Sequence, residues 1–222
     1  MTTLIFVRHG QSTANLDSIF AGYTDIPLTE LGHQQAELTA KYLDAFSIDH
    51  IYASDLQRAY QTAEHTAAHQ NKPIIPETLF REIYAGEWEG ITFADIAARY
   101  PESHDIWLHR LYLAHPEGGE SVVQLSDRVG EGVRRVLEKH RGETVAIFTH
   151  ATPIRTLAWR WHGCDIHVVD QKLIEVEPTV KFCPNASVSI VEYEDDGSFR
   201  LIYYGYDEHL KGFSTKLPQN FV

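Results

Sequence analysis

The triplet Arg8-His9-Gly10 directly follows the apolar run Leu4 to Val7, and Thr149-His150 follows the run Val145 to Phe148 in the same way. Short apolar runs read as buried strands, and ligands of open α/β sheets sit beyond the carboxyl ends of their strands. Two strands therefore deliver one histidine each to the same edge. A single histidine among 13 is ordinarily a surface or structural residue, but two such placements in one chain point to a site. The chemistry that suits them is phosphoryl transfer, which needs a nucleophile in line with the leaving oxygen and positive donors around the other phosphate oxygens. A neutral imidazole can attack phosphorus. Arg8 supplies a planar fork for two oxygens, and Arg58, in Ser54-Asp55-Leu56-Gln57-Arg58, offers a second.

A metal site is the rival chemistry for histidines and carboxylates. The His-x-x-x-His and Cys-x-x-Cys spacings of common zinc sites are missing, and His162 with His167 is an unsupported pair. Arginine beside the reacting residue also fits an anion better than a cation. No metal and no cofactor is expected.

These residues must be positioned by an alternation of short apolar runs and helical patterns, which suggests a layered α/β fold. Thr3 to Val7 reads as a strand. Leu31, Gln35, Leu38, Tyr42 and Ala45 then recur at helical spacing, with Thr29 as N-cap. His50 to Ala53 reads as a second strand, Leu56 to about His69 as a helix, and Lys72 to Pro76 as a short edge strand. Val122, Leu125, Val129, Val133 and Val136 mark another helix despite Gly130 and Gly132, and Thr144 to Phe148 a further strand. Thr152 and Pro153 read as a helix start and Gly163 as its stop. Ser187 to Tyr193 and Phe199 to Tyr204 flank Asp196-Gly197, which predicts a hairpin of antiparallel edge strands. Residues 80–115 fit the alternation less well: Phe80, Tyr84, Trp88, Phe93, Tyr100, Trp107 and Tyr112 lie among short helical pieces, as a lid or side layer or as a core-packing insertion. The expected architecture is a three-layer α/β/α sandwich with a mainly parallel central sheet, an antiparallel C-terminal element and a small helical lid, in one domain over residues 1–222.

Composition sets the bounds. A chain of 222 residues with 43% hydrophobic and 23% charged residues has the balance of an ordinary folded domain. Its formal net charge of −12 argues against a nucleic-acid partner, whose phosphates are bound by basic faces. No apolar stretch approaches the roughly 20 residues of a membrane span. With only Cys164 and Cys183 for a disulfide and no secretory pattern at the N-terminus, a cytoplasmic location is expected. Oligomeric state is open, a homodimer being one option.

The sequence resembles the histidine phosphatase superfamily, in its phosphoglycerate mutase-like branch. The resemblance is carried by Val7-Arg8-His9-Gly10-Gln11-Ser12, Asp25-Ile26-Pro27-Leu28-Thr29-Glu30-Leu31-Gly32, Ser54-Asp55-Leu56-Gln57-Arg58-Ala59, Arg81-Glu82-Ile83, Glu87-Trp88-Glu89-Gly90 and Thr149-His150, in family order. It implies that His9 is phosphorylated during turnover, that Arg8, Arg58 and His150 hold the phosphoryl oxygens, and that Asn15 donates a further hydrogen bond. Gln11, Ser12 and Ala151 are the remaining expected substrate contacts. Gln11 stands where the family often has glutamate, and Ala151 where it commonly has glycine. Glu82 matches the proton donor, although the residues alone leave Glu87 and Glu89 as competitors. The stretch Glu87 to Pro101, with His115-Pro116-Glu117-Gly118-Gly119-Glu120-Ser121, looks most like the broad-specificity and α-ribazole phosphatases. The implied activity is hydrolysis of a small phosphorylated metabolite. A phosphoglycerate mutase is the alternative, and an inactive phosphate-binding protein the second alternative.

Overall fold

Strands that are apolar at every residue need cover on both faces. The computed structural model describes residues 1–215, so the last seven residues of the expected domain lie outside it. Among the described residues, β1 (Thr2–Arg8), β2 (His50–Ala53), β3 (Ile74–Pro76), β4 (Thr144–Thr149), β5 (Val188–Tyr193) and β6 (Phe199–Tyr206) form one sheet in the order β3-β2-β4-β1-β5-β6. The pairs β1/β4, β2/β4 and β2/β3 are parallel, whereas β1/β5 and β5/β6 are antiparallel. Side chains alternate across the sheet. Leu4, Phe6, Val145 and Ile147 enter one apolar cluster, and Ile5, Val7, Ala146 and Phe148 enter the other.

The helices are α1 (Thr13–Leu16), α2 (Glu30–Leu43), α3 (Gln57–Gln70), α4 (Phe93–Arg99), α5 (Pro101–His109), α6 (Val122–Lys139), α7 (Ala151–Trp161) and α8 (Gln171–Val176). α2 and α3 cover the second cluster with Leu43 and Ala63, and α6 and α7 cover the first. Val122, Leu125, Val129, Val133 and Val136 are the buried stripe of α6, and burying each stabilises the layer by about 1.5 to 3 kcal/mol. The costly Gly132 has a packing reason: a Cβ there would stand 2.9 Å from Phe80 Cε1. The Thr29 hydroxyl caps α2 by accepting from Gly32 N at 3.0 Å. Ser121 and Gln124 form a reciprocal cap on α6.

Two expectations are corrected. The C-terminal hairpin is antiparallel, but only β6 is an edge, because β5 pairs with β1 on its other side. The sixth-to-seventh helix passage also differs: α7 begins at Ala151 with His150 at the N-cap, two residues before Pro153. Proline is tolerated in a first helical turn, where its missing N–H would have no intrahelical partner. Within residues 80–115, Phe80, Ile83, Trp88, Ile96, Trp107 and Tyr112 are buried in the cluster under α6 and α7, while Tyr84 is exposed. Among the described residues no helix is long and apolar enough to cross a membrane.

Candidate active site

The ends of β1 and β4 are tied together by His9 N–H, which donates to Thr149 O at 2.9 Å. The next peptide is fixed on several sides. Gly10 N–H donates to Thr62 Oγ1 at 3.0 Å, and His9 O accepts from Ala186 N at 3.0 Å and from Asn185 Nδ2 at 3.1 Å. Position 10 has no room for a side chain, because a Cβ would lie 2.5 Å from Gly32 O at the start of α2.

This rigid loop sets the chemistry of His9. Its Nδ1 stands 2.7 Å from Gly10 O, and a carbonyl can only accept, so the proton is on Nδ1 and Nε2 carries the lone pair. The His150 ring meets the His9 ring edge-on at a centroid distance of 5.2 Å. His150 Nε2 lies 2.8 Å from Ser54 Oγ, while its Nδ1 is buried without a hydrogen-bond partner among the described residues. Burial, then the Arg58 charge, holds both imidazoles well below the usual histidine range. They are neutral at neutral pH.

Arg8 and Arg58 bring the positive charge. Arg8 Nη1 donates to Cys183 O at 2.6 Å, and its buried Nε has no partner among the described residues. Arg58 donates from Nη1 to Thr24 O at 3.0 Å and from Nη2 to Gly22 O at 2.7 Å. Burial lowers both guanidiniums, that of Arg58 to about 10, so both remain charged at neutral pH. Two desolvated cations beside two neutral imidazoles form a local anion cradle in a chain of net charge −12.

The cradle opens into a cavity of about 580 Å³, lined at one end by Arg8, His9, Ser12, Asn15, Arg58, Glu82 and Ala151. Its outer walls include Phe20, Phe93, Trp107, Leu108 and Phe182, with Arg155 and Glu177, a buried ion pair at 2.9 Å. Asn15 Oδ1 accepts from Ser12 N at 3.0 Å and Asn185 Nδ2 at 3.1 Å, which among the described residues leaves the Asn15 NH₂ group free to donate. Gln11 is placed elsewhere: its Oε1 accepts from Thr29 Oγ1 at 2.8 Å and its N–H donates to Gln35 Oε1 at 2.7 Å. Neither Gln11 nor the fully buried His150 lines the cavity.

The three candidate acids separate cleanly. Glu82 faces the cavity, its Oε1 accepting from Ile83 N at 2.9 Å and its Oε2 from Thr152 N, in the first turn of α7, at 3.3 Å. Glu89 is consumed by the N–H groups of Tyr23, Thr24 and Ala85, and Glu87 accepts from Tyr100 Oη at 2.6 Å. The Glu82 backbone is held by Arg128 of α6, which donates to the carbonyls of Leu79 at 2.8 Å, Arg81 at 3.1 Å and Glu82 at 3.1 Å. Arg81 Nε donates to Asp55 Oδ1 at 2.6 Å, joining this segment to the Ser54–Ala59 stretch.

Ser54, Thr62, Arg128, Arg155 and Asn185 are not marked as site residues by the sequence. Ser54 had a signal, since it follows β2 as His9 follows β1. Asn185 had none, standing 176 residues from His9 in sequence.

Comparison with known proteins follows the same lines. The model of the histidine phosphatase superfamily (branch 1) matches residues 4–205. Phosphoserine phosphatase 1 of Hydrogenobacter thermophilus is 32% identical over 199 residues, covering 88% of each chain. Among solved structures, Bacillus stearothermophilus YhfR is similar at 31% identity and TM-score 0.86, covering 95% of this chain and 100% of that one. A mycobacterial glucosyl-3-phosphoglycerate phosphatase is similar at 27% identity and TM-score 0.81, covering 91% and 98%.

Proposed function

The chain belongs to the histidine phosphatase superfamily, branch 1, and from that premise we propose that it is a phosphomonoester hydrolase working through a phosphohistidine on His9. The observation that carries this reading is the convergence of the His9 lone pair, two buried arginines and the Glu82 carboxyl on one cavity.

In the first step His9 Nε2 attacks phosphorus, the P–N bond forms, and the bond to the ester oxygen breaks. Arg8, Arg58 and the Asn15 amide hold the three remaining oxygens, and their charge offsets that of the dianion. His150 lies just behind the cavity lining, edge-on to His9, and its unpartnered Nδ1–H is the donor it can offer the same group, because Ser54 Oγ accepts from Leu56 N at 3.4 Å and gives its own proton to His150 Nε2. Protonated Glu82 transfers its proton to the departing alkoxide. Once ionised, it takes a proton from water, which attacks phosphorus from the side the alcohol has left. Phosphate is released and His9 is restored. Splitting the displacement in two replaces one difficult step by two easier ones.

Arg8 and Arg58 supply the positive charge that a metal ion provides in other phosphatases, so the reaction is metal-independent in this reading. The substrate is a small phosphorylated metabolite of the cytoplasm, and the likeness of the stretches Glu87 to Pro101 and His115 to Ser121 to those of the broad-specificity and α-ribazole phosphatases supports hydrolysis over mutase activity. The test is a phosphate-release screen over sugar phosphates, phosphoglycerates, nucleotides and α-ribazole phosphate, in EDTA, with acid-quench trapping of the phosphoenzyme. Turnover is expected in EDTA, with label on His9 and none in His9→Ala. Activity that survives His9→Ala, or that EDTA removes and one divalent ion restores, overturns the reading; isomerisation of phosphoglycerate without release makes the enzyme a mutase.

A further inference from the structure

A second group of ionisable side chains sits at the opposite end of the strands that carry the cavity. Glu143 precedes β4 and His150 follows it, so six residues separate the two ends, about 20 Å at roughly 3.3 Å per residue. There, three elements bring one side chain each to a common point: His50 opens β2, His140 closes α6, and Glu143 lies in the turn between α6 and β4. His50 Nε2 stands 3.0 Å and His140 Nδ1 2.8 Å from the same oxygen, Glu143 Oε2. One potential ligand atom from each residue lies within 4.8 Å of the others, and the two imidazole rings are 3.9 Å apart.

We propose that His50, His140 and Glu143 form a binding site for a divalent transition-metal ion of the zinc class, completed by water. Two imidazole nitrogens and one carboxylate oxygen are a donor set that such ions accept, with a fourth position open. A tetrahedral ion with bonds of about 2.0 Å spaces its ligand atoms roughly 3.3 Å apart. The His50–Glu143 and His140–Glu143 spacings fall a few tenths of an ångström short of that, within reach of small side-chain rotations. The surroundings are also those of a ligand histidine. His140 is buried, and its other nitrogen lies 2.9 Å from Tyr52 Oη, which also accepts from Lys139 Nζ at 3.4 Å. With Nε2–H given to that phenol oxygen, Nδ1 turns its lone pair to the ion, the arrangement that orients metal-bound imidazoles. His50 and Glu143 are half-exposed, which leaves an entry path and room for water. The ion would pin the start of β2, the end of α6 and the start of β4 to one another, far from His9. Its effect falls on stability, and turnover does not pass through it.

The test uses full-length, untagged protein stripped with EDTA and titrated with Zn²⁺, with Co²⁺ as a spectroscopic probe. One equivalent is expected to bind, to raise the melting temperature and to give the visible absorption of tetrahedral cobalt. His140 is buried and its replacement endangers the fold, so the half-exposed positions carry the discrimination. His50→Ala and Glu143→Gln should each weaken zinc binding more than about a hundredfold and abolish the melting shift. Tyr52→Phe, which leaves the three ligands in place, should weaken it about tenfold. If His50→Ala and Glu143→Gln bind zinc as wild type does, or wild type shows no such site, the three side chains form a hydrogen-bonded cluster only. Turnover of the same EDTA-stripped samples reports on the phosphatase reading separately.

Discussion

Replacing Glu82 by glutamine removes a charge and a transferable proton while conserving shape. The carboxamide oxygen can still accept from Ile83 N–H, the 2.9 Å bond, whereas its NH₂ group would face Thr152 N–H, so the 3.3 Å bond is lost. One hydrogen bond to a carboxylate is worth about 1.5 to 3 kcal/mol, less than the roughly 5 to 15 kcal/mol that holds a typical domain folded, and the variant should stay folded. Losing general acid catalysis costs about 10² to 10⁴ in rate, or about 2.7 to 5.5 kcal/mol in barrier, and in a folded variant that loss is read directly in the rate. Glu82 also raises the proton affinity of Arg8 and Arg58, and without that neighbouring negative charge inorganic phosphate should inhibit the variant more strongly than wild type. The assay is rapid-quench kinetics on an alkyl phosphate and an aryl phosphate. The alkyl ester should lose the full factor in phosphorylation. The aryl ester leaves as a stabilised phenolate and should keep a phenol burst followed by slow dephosphorylation. Glu87→Gln serves as control, its carboxylate being engaged by Tyr100 outside the cavity lining. Wild-type rates on alkyl phosphates in Glu82→Gln, with loss in Glu87→Gln, would refute the assignment.

Ser54→Ala removes the proton that holds His150 in one tautomer; kcat should fall about tenfold with an altered imidazole ¹⁵N spectrum, and the melting temperature should drop by a few degrees because the buried His150 Nε2 loses its partner. An unchanged kcat would remove Ser54 from the mechanism. Stability should fall with acid for a related reason: burial holds His9 and His150 below the unfolded value of about 6.5, so between that value and the lowered native one only the unfolded chain takes up these protons. Each histidine then costs up to about 1.4 kcal/mol per pH unit as pH drops through that window, and the contribution is constant above it. Denaturant melts of wild type and His9→Gln, compared at pH 7.5 and below 6, should show wild type losing more; parallel losses would contradict the depressed His9.

Much of the scaffold was legible because its information is local. Leu4 to Val7, the α6 stripe and the Thr29 cap each depend on residues within a few positions, and their periods survive folding. What was lost is long-range. Nothing near Ser187 reveals that β5 inserts between β1 and β6, since that depends on which strand has an unpaired edge once β4 has docked. For the same reason Glu82 could be set beside Arg8, His9 and Arg58 only through family resemblance, while Asn185, Arg128 and the group His50, His140 and Glu143 stayed invisible. Their partners are chosen by the sheet, and no spacing along the chain encodes them. At Thr152-Pro153 a local signal misled, because proline marks the first turn of a helix without fixing which residue of that turn it occupies.

The cavity has two kinds of wall, and they differ in how freely they can be exchanged. The end that holds Arg8, His9 and Ala151 grows from strand termini locked into the sheet register, whereas Phe93, Trp107 and Leu108 stand on the helical pair α4 and α5, which contributes no strand. A graft of residues 93–109 from another member of the superfamily therefore recuts the space offered to the leaving group without disturbing a single ladder hydrogen bond. Trp107 and Ile96 define what such a graft must preserve, because they are anchored in the core beneath. Exposed Leu108 and half-buried Phe93 mark positions where a library can diverge. The molecule is in that sense already divided into a constant frame and a replaceable rim, a partition along which new selectivity can be bred.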